Sequence, residues 1–313
     1  MFRLIMLGTI SALFFSSTFV LNRAMSLEGG HWLWAASLRF GYMLAMLTLY
    51  LFFTKGAKYL FEIIRVFTRF WLFWCIAGGI GFGVFYSLLC FSASYAPGWI
   101  IATTWQITIL ATPMVLIAMG KQVPLKGLLL TGLIFTGIVL VNLEYAGKTT
   151  GLEVVLGVIP VLIAAFAYPT GNQMVWEASQ NGYKLIPRID HPLMQDSFAR
   201  VLLLTIGSIP LWLFLFLFIS PPAPSTGQLF STAMVALFSG VIATTIFLYA
   251  RHHCSHPYEL AAVDATQAME VVFSLIGEII FLQGALPGTV GTIGIALTIT
   301  GLIAYALQQH ATE

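Results

Sequence analysis

The sequence predicts an all-α polytopic membrane protein: ten transmembrane helices in two inverted five-helix repeats, with both termini in the cytoplasm. Three observations predict it. Ten stretches are long and apolar enough to cross a bilayer, the basic residues between them fall almost wholly on one side, and landmarks of the first half recur in order in the second.

Composition sets the class. Of 313 residues, 59% are hydrophobic and 8% are charged, whereas an ordinary soluble domain carries roughly 25% charged residues. A soluble fold would lack the polar residues to cover so much apolar surface, but a bilayer accepts it as solvent. The net charge of +2 provides no basic field, which argues against nucleic acid as a partner. Cys75, Cys90 and Cys254 are odd in number and widely spaced. They make neither a disulfide framework nor a Cys-x-x-Cys metal pattern and read as small buried hydrophobes.

A spanning helix takes about 20 mainly apolar residues. The stretches 4–21, 32–53, 71–93, 98–119, 125–143, 152–175, 197–219, 228–250, 260–282 and 288–307 qualify. The first follows Met1-Phe2-Arg3 as a secretory signal would, but Asn22-Arg23-Ala24-Met25 is no small-residue cleavage site. It is therefore read as a retained helix. Connections are short except 54–70 and 176–196, and no soluble domain fits between spans.

The basic residues orient the bundle. With the N-terminus inside, cytoplasmic segments hold Arg3, Lys55, Lys58, Arg65, Arg69, Lys121, Lys126, Lys184, Arg188 and Arg251. External segments hold Arg23 and Lys148, a division of ten against two. A count of nine or eleven spans would destroy this asymmetry. The expected location is the bacterial cytoplasmic (inner) membrane.

The halves, 1–147 and 148–313, share landmarks. Arg39 in the second span pairs with Arg200 in the seventh at an offset of 161, Pro97 with Pro257 at 160, and Pro124 with Pro287 at 163. Thr136-Gly137 pairs with Thr300-Gly301 at 164 and Asn22 with Asn172 at 150, the long 176–196 loop explaining the jump. Five spans per half turn the second copy upside down. Inverted repeats place a substrate site at the midplane between the halves, so the architecture implies a transporter.

The layout resembles the drug/metabolite transporter superfamily, of the ten-helix EamA type. Phe15-Ser16-Ser17-Thr18-Phe19-Val20 resembles that family's first helix, with Phe15-Ser16 where Trp-Gly is commoner, and Leu38-Arg39-Phe40 resembles its second. Ala167-Tyr168-Pro169-Thr170-Gly171-Asn172 resembles its sixth, in a form similar to the branch labelled multidrug resistance efflux transporters. The resemblance covers nearly the whole chain. It implies export of amino acids, other metabolites or drugs, and some related proteins carry nucleotide sugars.

Polar residues inside spans are the site candidates, because a charge at the bilayer centre costs at least about 2.5–3.5 kcal/mol. At about 100° per residue, Asp264, Gln267, Glu270, Ser274 and Glu278 of the ninth span share one face. Glu270 lies near the midplane as a substrate or proton-coupling group, while Asp264 and Glu278 read as structural or ion-pair residues. Arg39 and Arg200 both read as residues that snorkel toward headgroups or tie neighbouring helices, with an anion site as the rival reading; Arg39 is counted among the substrate-binding candidates and Arg200 among the structural or ion-pair residues. Ser11, Thr18 and Asn22 share a face of the first span, and Asn172 holds the place of Asn22 on the sixth. Tyr86, Trp105 and Gln106 complete the substrate-binding candidates.

Other patterns are weaker. His252, His253, Cys254 and His256 lie where the eighth span ends and read as a basic turn, not a metal site. Gly78-Gly79-Ile80-Gly81-Phe82-Gly83 lacks the Lys-Ser/Thr of a phosphate loop and reads as a helix-packing stripe. No cofactor is expected, and no nucleotide-binding motif supports direct ATP coupling. The expected function is secondary transport, in the export direction, of a small organic solute by a monomer in the lipid bilayer. A membrane-embedded enzyme acting on lipid-linked substrates, and a non-transporting receptor or assembly subunit, are the alternatives.

Overall fold

A chain this apolar has one economical way to satisfy its backbone in lipid, the hydrogen-bonded helix. The computed structural model describes residues 2–120, 125–180, 183–254 and 257–309. Among these, helices dominate and the sole sheet-like feature is an isolated bridge between Tyr183 and Ile186. Lys121, Pro124 and His256 lie outside the described residues.

In chain order the first helices are α1 (Phe2–Leu27), α2 (Trp32–Lys55), α3 (Ala57–Arg69), α4 (Trp71–Ser92), α5 (Gly98–Ala118) and α6 (Leu125–Ala146). There follow α7 (Gly151–Ser179), α8 (Ser197–Phe218), α9 (Thr226–Arg251), α10 (Ala262–Leu282) and α11 (Thr289–Gln309). Eight are long and apolar enough to span a membrane, and α6 and α11 contribute shorter apolar helices, Thr131–Ala146 and Thr289–Tyr305. Together they make ten apolar helices, and the chain is a multi-pass integral membrane protein.

The remaining helix, α3, differs from the expected plain connection over 54–70. Its 13 residues reach about 20 Å, too short for a core about 30 Å thick. Ile63 and Val66 are buried against the bundle, while Phe61 and Ile64 are exposed and Lys58, Arg65 and Arg69 project from the remaining face. That three-way division suits a helix lying in the membrane interface.

Packing follows a rule of exchange. Helix α4 packs on α7 and α8, and its counterpart α9 packs on α1 and α2. Helix α5 packs on α7, its counterpart α10 packs on α1, and α6 and α11 pack on each other. Replacing each helix by the one five spans away leaves these pairs unchanged. Small residues permit the closest approaches: a Cβ on Gly81 of α4 would stand 2.9 Å from the Gly171 Cα of α7. The Gly78–Gly83 run is thus a packing stripe.

Two helix starts are held by a carboxylate from another helix. Pro97, ahead of α5, offers no side-chain cap, and Glu278 of α10 accepts the Trp99 N–H at 3.1 Å instead. At the start of α11, Glu144 of α6 accepts the Gly288 N–H at 2.6 Å and also binds the Gly291 N–H. Further ties cross the same face of the bundle, the one that the charge count assigns to the exterior. Arg23 donates to the Ala93 carbonyl at 2.9 Å, Trp34 to that of Pro222 at 2.8 Å, and Gln228 to that of His31 at 2.8 Å.

Candidate functional site

The backbone is irregular in mid-membrane at four places, and they come in counterpart pairs. Helix α4 contains a π-helical stretch, Gly79–Val84, and α9 contains another, Ala236–Ala243. Helix α5 stops at Trp105, turns through Gln106–Ile107 and restarts at Thr108. Helix α10 stops at Ala265, tightens to a 3-10 turn over Thr266–Ala268 and restarts at Met269. Such interruptions free backbone polar groups and are tolerated at membrane depth only inside protein or beside a cavity.

The candidates gather around these interruptions. Gln106 sits in the α5 turn, buried, its amide donating to the Ala102 carbonyl at 3.3 Å. Gln267 sits in the α10 turn and reaches the Ser11 hydroxyl of α1 at 3.5 Å. Glu270 follows within the first turn of the restarted helix, where the helix dipole favours a negative charge. The residue is 8% exposed, and no hydrogen bond or ion pair joins its side chain to another described residue.

An aromatic wall stands beside this group. Phe85 of α4, Trp105 of α5 and Tyr168 of α7 meet with ring centroids 4.9, 5.0 and 5.7 Å apart. Tyr168 keeps 38% of its surface exposed despite these contacts, and it lies within electrostatic reach of both Glu270 and Arg39. One turn on, Asn172 is exposed and donates to the Tyr168 carbonyl at 3.1 Å.

A second polar group surrounds Tyr86, which is fully buried. The Asn22 amide of α1 donates to its hydroxyl at 3.0 Å. The Arg39 guanidinium of α2 stacks on its ring 4.0 Å from the centroid and donates to the Ser239 hydroxyl of α9 at 3.3 Å. Ser239 belongs to the α9 π-helical stretch, so that irregularity places the hydroxyl under Arg39. Asn22 and Asn172, paired by sequence offset, thus differ in setting: one is buried against a tyrosine hydroxyl, the other exposed.

The remaining candidates take local roles. Arg200 donates to the Ser197 hydroxyl one turn away at 3.1 Å. It does not cross between helices as Arg39 does. Asp264 forms an ion pair with Arg251 at 3.1 Å, joining α10 to α9. Glu278 caps α5. Among the described residues, no group of three His, Cys, Asp or Glu is placed to hold a metal ion.

Phe85, Tyr168 and Ser239 are site residues that the sequence alone does not single out. Tyr168 lies inside the Ala167–Asn172 stretch that resembles a family motif, which is the available signal. Phe85 is one aromatic among 25 phenylalanines, and nothing in the apolar run around Ser239 marks a π-helical stretch.

Known proteins bear on this arrangement. Residues 2–311 match the family described as EmrE, "Putative multidrug resistance efflux transporter". The chain is 37% identical over 315 residues to "Uncharacterized protein YjlA" of Bacillus subtilis (strain 168), covering 96% of this chain and 93% of that one. It is 36% identical over 278 residues to an "Uncharacterized 42.1 kDa protein in intracellular alkaline protease 3'region" of Shouchella clausii, covering 85% and 69%. A crystal structure with 16% identity superposes over 99% of this chain and 98% of its own at a TM-score of 0.60, a likeness of fold. With the match running over nearly the whole chain, this protein belongs to the EmrE-type multidrug efflux transporter family of the drug/metabolite transporter superfamily.

Proposed function

We propose that the chain is a secondary transporter that exports small organic solutes across the bacterial inner membrane. Its two halves, 1–147 and 148–313, would act as inverted repeats that alternate access to a midplane cavity, and one chain would suffice. The observation that carries this reading is the pairing of mid-helix interruptions in α5 and α10, the second of which is followed at once by the buried Glu270, unpartnered among the described residues. Broken helices at corresponding places in two halves are a recurrent way to build a solute site. A carboxylate with no protein partner is free to meet a cationic solute or a proton.

The ties across the outer face give the cycle a direction to work against. Glu278, Arg23, Trp34 and Gln228 all bridge elements there. Opening outward must break them, so solute binding has to supply the difference in free energy between the two states. Proton exchange at Glu270 would couple the step to the proton gradient.

Reconstitution tests the reading. The full chain in proteoliposomes, given an imposed pH gradient and a planar aromatic cation as probe, should move the probe against its concentration. Undiminished pH-driven movement by Glu270→Gln would remove that residue from coupling. A chain that moves no solute but converts a lipid-linked substrate would replace the transport reading with an enzymatic one.

A further inference from the structure

The two arginines that match between the halves are engaged differently. Arg39 is taken up inside the bundle by the Tyr86 ring at 4.0 Å and the Ser239 hydroxyl at 3.3 Å. Arg200 is half-buried near the start of α8 and donates to the Ser197 hydroxyl at 3.1 Å. Among the described residues no carboxylate pairs with it. A guanidinium has five N–H donors, so most of those on Arg200 are left for another acceptor. The Ser197 oxygen accepts from Arg200, which leaves its own O–H to donate beside the same edge.

Ser197 is also a wall of a shallow groove between three helices. The other walls are Leu47 of α2, Phe198 and Val201 of α8, and Val241, Thr244 and Leu248 of α9. Ser197 begins α8 and Leu248 is close to Arg251, the end of α9, so the groove lies in the half of the membrane that the charge count assigns to the cytoplasm. Its rim is exposed apolar surface: Leu49, Tyr50 and Phe53 of α2 and Leu248 of α9. The Tyr50 ring meets that of Phe198 at 4.9 Å. Apolar surface exposed at this depth faces acyl chains. The corresponding place in the other half is filled by protein. At the offset of 159 that pairs Gly240 with Gly81, Val241 corresponds to Phe82, which is buried against Phe40 with ring centroids 5.2 Å apart.

The polar end of the groove carries a surplus of positive charge. Lys55, at the end of α2, stands 5.7 Å from the Tyr59 ring, and the Tyr59 hydroxyl is bonded to Asp196, next to Ser197, at 2.6 Å. The carboxylate of Asp196 is already engaged by the Tyr59 hydroxyl and the Phe198 N–H. An apolar groove with a guanidinium and a hydroxyl at its end fits a ligand that joins an acyl chain to an anion. We propose that this groove binds an anionic phospholipid of the cytoplasmic leaflet. One acyl chain lies between α8 and α9, and the phosphate diester accepts from the Arg200 guanidinium, which suits phosphate oxygens, and from the Ser197 hydroxyl. Lys55 repels an ammonium headgroup and so favours a lipid of net negative charge. Bound there, the lipid bridges α2 of the first half to α8 and α9 of the second.

Native mass spectrometry of the full chain in detergent micelles tests this, with phosphatidylglycerol and phosphatidylethanolamine of matched acyl chains as probes. The first phosphatidylglycerol should bind at least about fivefold more tightly than phosphatidylethanolamine, the effect of roughly one basic residue near a membrane surface. Arg200→Gln should erase that preference. Arg3→Gln, at the start of α1 and outside the groove walls, should leave it within about twofold. Val241→Phe puts into the groove the residue that its counterpart position holds, and it should weaken both lipids by at least about fivefold. Glycerol phosphate, which has the anion without the chains, should displace neither. If Arg200→Gln does not fold, Val241→Phe and the ranking of lipids on the wild-type chain decide. Equal affinity for the two lipids, equal losses for Arg3→Gln and Arg200→Gln, unchanged binding by Val241→Phe, or displacement by glycerol phosphate or by a free fatty acid overturns the site. The readout is lipid binding, so the site stands or falls separately from the transport reading.

Discussion

The carboxylate of Glu278 accepts the backbone N–H of Trp99 at 3.1 Å, so a residue of α10 caps α5. Glu278 is 4% exposed and Pro97 supplies no cap, so water cannot replace it. Glu278→Ala should cost about 1–3 kcal/mol, the range for orphaning a buried donor. Glu278→Gln keeps an acceptor oxygen and should cost less. Reversible unfolding in detergent measures both. A loss below about 0.5 kcal/mol for the alanine variant, the scale of an ordinary surface change, would dismiss the cap.

Glu270 should show the opposite profile. No described residue holds its carboxylate, so Glu270→Gln, of nearly the same shape, should change stability by less than about 0.5 kcal/mol. Movement of solute driven by a pH gradient should fall to the level of empty vesicles. The pair of acids on one helix thus separates by experiment into a group that holds the fold and a group that serves transport. A Glu270→Gln protein that is markedly destabilised, yet transports normally, would reverse the assignment.

The parts of the fold that hydropathy controls were legible in the chain, and the parts that packing controls were not. Ten apolar stretches and the depth of Arg39 follow from transfer free energy, which each residue carries with it. The polar face of Asp264, Glu270 and Glu278 follows from helical spacing. The π-helical stretches follow instead from contacts such as Gly81 against Gly171, which need the partner helix to be in place. Arg39 and Arg200 show the limit. They match in sequence, but Arg39 meets Ser239 in the π-helical stretch of α9. At the offset of 159 that pairs Gly240 with Gly81, the counterpart of Ser239 in α4 is Ile80, which has no hydroxyl to offer. Helix α3 escaped for another reason: its 13 residues are too few and too polar to register as a span.

The α4–α7 contact gives a prediction with an internal control. A Cβ on Gly171 would come within 2.8 Å of the Ala77 carbonyl oxygen and closer still to Gly81. Both obstacles are backbone, which cannot rotate away. Gly171→Val should therefore cost at least about 1–3 kcal/mol, the usual penalty of overpacking, or abolish folding. At Gly41 a Cβ would meet nothing within 4 Å, so Gly41→Ala should fold as well as the wild type. Comparison of monodisperse yield and thermal midpoint checks the pair; similar values for Gly171→Val and wild type would show that the helices have room to part.

The interfacial helix makes a prediction in pH. The Tyr59 hydroxyl of α3 donates to Asp196 Oδ2 at 2.6 Å, and Asp196 also caps α8 by accepting the Phe198 N–H at 2.9 Å. Burial first, then the hydrogen bond and the charge of Asp196, raise the Tyr59 pKa above that of an ordinary phenol. The folded state therefore prefers the protonated phenol more strongly than the unfolded chain does. The stability this contributes is full below the unfolded value of about 10 and is lost as pH rises through the higher folded value. Tyr59→Phe should cost about 0.5–1.5 kcal/mol near neutrality. The gap between wild type and variant should shrink as the solution is taken above about pH 10. Unfolding curves for both proteins across that range measure it, and a gap that stays constant would mean that the Tyr59 hydroxyl does not hold α3 to the start of α8.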